Sequence, residues 1–159
     1  MSKTRVVRIK PTCFAGTTKS NNSILFNPTE IPGSVFGIGG ASVIKSIMIV
    51  DYDNNISKDT HLFFFQRGGA DLGPLGKAVN IIKSDLSKSE VLAMLSVPGV
   101  RSTDMGAFSN AKLSNISELG VGVKAKYGSS CIYVAAISKS SGTVSTVDGR
   151  ELIITFGPA

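Results

Sequence analysis

ASVIKSIMIV at residues 41–50 and THLFFFQ at residues 60–66 decide the fold class, with the polar DYDNNISKD between them. In the first run Val43, Ile47 and Ile49 share one parity, and Ile44, Met48 and Val50 share the other. In the second, Phe63 and Phe65 face opposite to Leu62 and Phe64. Runs of this length, rich in β-branched and aromatic residues, read as strands. Because Asp51-Tyr52-Asp53-Asn54-Asn55 turns the chain, residues 41–66 are expected to form an antiparallel pair. A strand apolar on both sides lies between layers or at a subunit contact.

Working outward, Thr4–Ile9 is a first strand, with Val7 and Ile9 on one face and Arg8 and Lys10 on the other. Residues 12–22 are loop-like. Ser23–Phe26 is a short strand closed by Asn27-Pro28, and 31–40 holds too many glycines and prolines for a regular element. Gly120–Lys126, Cys131–Ile137, Gly142–Val147 and Glu151–Phe156 are later strands. Turns are expected at Tyr127-Gly128-Ser129, Ser140-Ser141-Gly142 and Asp148-Gly149. The one expected helix is Ser87–Leu95, where Ser87 and Glu90 have the spacing of a capping box and Val91, Leu92 and Leu95 form the apolar stripe. The count is about seven or eight strands with one short helix. It predicts an all-β chain folded as a β-sandwich, jelly-roll-like. All 159 residues form one domain, with 1–40 a strand plus a loop-rich segment.

Composition supports a packed globule: 42% of residues are hydrophobic and 18% charged. The net charge is +6, yet Lys and Arg are scattered except at Lys3, Arg5, Arg8 and Lys10. With no Trp and three Tyr, the stacking platform of a nucleic-acid binder is not expected. No apolar run reaches membrane-spanning length and no secretory signal opens the chain, so a reducing compartment is expected. Cys13 and Cys131 lack metal or redox spacing; buried free thiols are the default, and a disulfide between them stays open.

Chemical motifs were tested in turn. His61 is the only histidine and has no neighbouring nucleophile motif. Asp51-x-Asp53-x-Asn55 starts like a calcium loop, but Ile56 stands where Gly is needed and Leu62 where a carboxylate is needed. Gly37-Ile38-Gly39-Gly40 lacks the strand–helix setting of a dinucleotide loop. Before Gly76-Lys77, Asp71 stands where a phosphate loop has its first glycine. No catalytic residue, cofactor, metal or small-molecule substrate is assigned, and the expectation is a protein that is not an enzyme.

Taken in order, several segments are similar to small virion structural proteins of tailed bacteriophages, the capsid decoration or cement type. They are the Gly39-Gly40-Ala41 entry to a strand ending Asp51-Tyr52-Asp53, Leu62–Phe65, the Ser84–Gly99 segment, Ile132–Ala135 and Glu151–Phe156. The similarity covers roughly residues 35–157. The N-terminal part departs from it, with Ser20-Asn21-Asn22-Ser23 where related proteins often carry a Tyr-x-x-Gly-Asp-type segment. The resemblance implies a jelly-roll sandwich on the capsid exterior of a virion made in host cytoplasm. Its partners would be the major capsid protein and itself, as a homo-oligomer, a trimer. Two features agree. Apolar residues on both parities of 41–50 and 60–66 would serve a subunit interface. Lys3, Arg5, Arg8 and Lys10 would meet an acidic capsid surface as protein-binding residues. A tail, baseplate or fibre subunit and a glycan-binding sandwich stay open as alternatives.

Overall fold

The computed structural model describes residues 3–18, 22–51, 59–68, 71–81, 83–98, 112–139, 142–144 and 150–159. The strands are β1 (Arg5–Ile9), β2 (Gly16–Thr18), β3 (Ser23–Ile31), β4 (Ala41–Asp51), β5 (Thr60–Phe65), β6 (Val91–Val97), β7 (Lys112–Ile116), β8 (Val121–Lys124), β9 (Ile132–Ser138), β10 (Gly142–Val144) and β11 (Arg150–Pro158). One helix, α1 (Lys83–Ser89), precedes β6. β1, β11, β4 and β7 make one sheet in that order, and β8 continues the β7 position by pairing with the first half of β4. β3, β9, β5 and β6 make the other, and β2 and β10 form a small separate ribbon. Every pairing is antiparallel.

Leaving the ribbon aside and counting β7 with β8 as one position, the first sheet runs 1-8-3-6 and the second 2-7-4-5. The chain wraps back and forth between two sheets in the jelly-roll order, so the sandwich is of that type. The same wrap corrects the expected pairing of 41–66. β4 and β5 lie in different sheets and do not pair with each other. Most of that segment, with the calcium-like Asp53 and Asn55, lies outside the described residues. So does the Asp148-Gly149 turn.

The main core fills the space between the sheets. Ile9, Ile44, Ile47, Val123, Leu152, Ile154 and Phe156 come from one side, and Leu25, Phe26, Leu62, Phe64, Ile132 and Val134 from the other. A second, smaller cluster lies on the opposite face of the second sheet, where Ile24, Phe65, Ala135 and Ile137 are covered by Leu72 and packed against by Leu75 and Ile81. The strap 71–81 is fastened to β3. Asn27 donates from Nδ2 to the Gly73 carbonyl at 3.0 Å and accepts from the Leu72 amide at 2.9 Å. Ile24 exchanges backbone bonds with Lys77 and Gly76 at 2.9 and 2.8 Å.

These two features account for the apolar residues on both parities. On β5, Leu62 and Phe64 enter the main core while Phe65 and Phe63 enter the cluster under the strap. On β4 the register with β11 shifts, because Thr155 pairs Ser46 and Phe156 pairs Ile44, so Lys45 is bulged out. A bulge flips the inward parity. Ser42 and Ile44 face in before it, and Ile47 and Ile49 after it. The apolar excess read as an oligomer contact is thus largely consumed within one chain, leaving Val43 and Met48 half-buried.

Two local expectations are also corrected. The helix is Lys83–Ser89, and Val91–Val97 is a strand paired with β5. Glu90 follows the helix with φ of +53°, so Ser87 and Glu90 do not form an N-terminal capping box. VLAMLSV is a short, almost wholly apolar run, which periodicity alone cannot assign between helix and strand. β3 also continues through Asn27-Pro28 to Ile31. Its ladder with β9 is irregular between Phe26 and Thr29, where a missing proline donor is tolerated.

Candidate interaction surface

The connections β3–β4, β5–β6 and β8–β9 meet at one end of the sandwich, and two of them form paired tight turns. In Gly37-Ile38-Gly39-Gly40 the Gly40 amide donates to the Gly37 carbonyl at 3.1 Å, and Gly39 has φ of +65°. In Lys126-Tyr127-Gly128-Ser129 the Ser129 amide donates to the Lys126 carbonyl at 3.1 Å, and Gly128 has φ of +82°. A positive φ at the third residue marks a type II turn, which requires glycine there and points the second residue outward. The second residues are Ile38 and Tyr127, which are 79% and 100% exposed.

The turns are docked on each other. The Gly39 amide donates to the Ser129 carbonyl at 2.6 Å, and the Ala125 amide to the Gly40 carbonyl at 3.0 Å. A Cβ on Gly39 would lie 3.7 Å from the Tyr127 Cα. On Gly40 it would lie 2.1 Å from the Phe36 carbonyl oxygen, so only glycine fits at position 40. The third connection is tied in by Gln66, whose Nε2 donates to the Lys124 carbonyl at 3.1 Å. The Gln66 and Arg67 amides donate to the Glu90 and Ser89 carbonyls at 2.9 and 3.1 Å.

Between these connections lies a shallow cleft of about 360 Å³. Its rim carries Ile38, Tyr127, Arg67, Glu90, Lys124 and Lys126. Arg67 Nε is 3.6 Å from a Glu90 carboxylate oxygen. Lys124 and Lys126 are exposed and face no carboxylate of their own among the described residues. The surface therefore offers two exposed, largely apolar side chains on hydrogen-bonded turns beside a local excess of positive charge, a composition suited to protein contact.

The basic residues of the N-terminal strand have a different setting. Arg5 sends its guanidinium to the Gly33 and Val35 carbonyls, the latter at 3.1 Å, and stacks 4.7 Å from the centre of the Phe36 ring. It holds the stretch that leads into the Ile38 turn. Arg8 is 3.3 Å from a Glu151 carboxylate oxygen. Lys3 and Lys10 are exposed. Arg5 and Arg8 are engaged differently: Arg5 turns to the β3–β4 connection while Arg8 pairs across to β11. The sequence places the turn at Tyr127-Gly128-Ser129 but not the Gly37–Gly40 turn or the docking of the two, although the signal for both turns is present. Each has an apolar residue directly before a glycine at a turn.

His61 is half-buried in β5, with Ser96 and Ile137 as ladder neighbours. Burial first, and Lys139 second, lower its pKa below the ordinary 6.5, opposed by Asp59. Cys13 and Cys131 are both buried and unpaired with each other, as expected. Among the described residues there is no group of three metal-ligating side chains, and no helix is long and apolar enough to cross a membrane.

The fold places the chain among jelly-roll sandwiches, a class that hosts many unrelated functions. Among solved structures, it is similar to that of Tomato aspermy virus, with 14% sequence identity and a TM-score of 0.39, over 98% of this chain and 76% of that one. No protein-family model and no curated protein matches the chain.

Proposed function

We propose that this protein is a non-enzymatic virion structural protein that binds the outer surface of a phage capsid and stabilises it, a decoration or cement protein. Its partners are the major capsid protein and further copies of itself. The trimeric state rests on the sequence resemblance alone. The observation that carries the reading is the pair of docked turns presenting Ile38 and Tyr127. The turns that carry these side chains are already ordered by backbone bonds, so binding has no loop-ordering cost there. Many such modest contacts repeated over a shell would add up.

The test is to add the purified protein to empty shells of the virus that encodes it, then count bound copies and measure the shell's melting temperature. Saturation at many copies per shell with a raised melting temperature is the expected result. Binding of only a few copies per particle rejects the reading. Tyr127 also favours a second reading, since a fully exposed aromatic beside a cleft is a glycan-stacking element. Binding on a glycan array abolished by Tyr127→Ala, with no shell binding, would select it.

A further inference from the structure

We infer that the paired-turn end takes an acidic protein segment, with carboxylates on Lys124 and Lys126 and an apolar side chain seated between Ile38 and Tyr127. The inference deepens the proposed function and rests on it for the identity of the partner in the virion.

Charge complementarity selects the occupant. The cleft rim has three cations and one carboxylate, and Glu90 lies beside Arg67, which leaves Lys124 and Lys126 to act on an incoming group. An exposed cation pair attracts carboxylates over a distance of about 8 Å at physiological salt. The apolar part excludes a purely electrostatic partner. Ile38 and Tyr127 stand on turns fixed by backbone bonds at 2.6 and 3.0 Å, so water released from them on contact adds favourable free energy at little entropic cost. A nucleic-acid strand fits less well. Tyr127 is the single aromatic on the rim, where strand-tracking grooves use several. The cleft is also open, which suits a segment laid across it.

The experiment is amide NMR of the full chain titrated with two probes, the capped peptide Asp-Glu-Phe-Asp-Glu-Leu and a short oligothymidylate. The expected result is peptide-induced shifts confined to residues 37–40, 66–67 and 124–129. Binding should weaken about tenfold or more in the double variant Lys124→Glu, Lys126→Glu, survive in Lys124→Arg, Lys126→Arg, and weaken as salt rises. All four substitutions are at exposed positions, so the fold should persist, and a thermal melt checks it. Shifts centred on Arg8 and Lys10, a stronger response to oligothymidylate, or an unweakened charge-reversed variant would each overturn the inference. The same double variant separates this claim from the proposed function. If the wild type coats shells and the charge-reversed protein coats them equally well, the site is wrong and the decoration role stands. If the wild type ignores shells while the peptide still lands on the turns, the role is wrong and the site stands.

Discussion

Two basic regions of the molecule look alike in sequence and differ in what the fold asks of them. At the N-terminal strand, Arg5 is engaged with two carbonyls and an aromatic ring, and Arg8 with Glu151. At the paired-turn end, Lys124 and Lys126 stand beside exposed Ile38 and Tyr127. β1 is an edge strand, where charged side chains discourage unwanted strand pairing. Charge at an edge can thus guard and brace the fold, while charge beside a rigid apolar tip is placed for a partner. The two regions are also linked, because Arg5 holds residues 33–36, which lead directly into the Ile38 turn.

Substitutions can break this contrast at graded strengths. Gly40→Ala should have the largest effect, since its Cβ would press on the Phe36 carbonyl oxygen at 2.1 Å. A loss of about 2–3 kcal/mol in urea unfolding is expected, with peptide binding impaired as the turn shifts. Arg5→Ala should come next, at about 1–2 kcal/mol, by leaving the Gly33 and Val35 carbonyls without their charged donor. Its binding should also weaken, through the displaced turn. Gly128→Ala should cost roughly 1 kcal/mol, a strain effect alone, because a Cβ there meets open space.

Smaller effects sharpen the distinction. Arg8→Ala should cost about 1 kcal/mol, since Arg8 is exposed but the Glu151 carboxylate it bonds is buried, and leave peptide binding intact. Lys124→Ala and Lys126→Ala should stay within about 0.5 kcal/mol in stability yet weaken binding measurably. His61 lies outside both regions and gives the mildest signal. Its folded pKa lies below the unfolded 6.5, so the unfolded chain takes up the proton first. The stability it contributes is present above pH 6.5 and is lost as pH falls through 6.5 toward the folded value. His61→Gln should flatten that part of the stability–pH profile, measured by urea unfolding across pH 5–8.

The sequence carried the fold class because strand alternation and turn residues are local signals. Most strand positions follow from them. What it misread depended on longer-range geometry. Whether β4 turns back on itself or crosses to the other sheet is settled by packing, which the polar residues after Asp51 do not encode. The bulge at Lys45 and the strap carrying Leu72, Leu75 and Ile81 turned an apparent apolar surplus into ordinary burial. Ser87–Leu95 reads as helix because Val91, Leu92 and Leu95 satisfy helical spacing as well as the strand Val91–Val97 that they belong to. For the interaction surface, the N-terminal cluster stood out because Lys3, Arg5, Arg8 and Lys10 are neighbours in sequence. Ile38, Arg67 and the Lys124–Tyr127 stretch are far apart along the chain and become neighbours only once three connections meet.

Shell occupancy of two charge-reversed proteins, Lys124→Glu with Lys126→Glu and Arg8→Glu with Lys10→Glu, decides between the regions most directly. Bound copies per shell should collapse for the first pair and stay near wild type for the second. Full occupancy by the first pair together with loss for the second would contradict the assignment of contact to the paired turns.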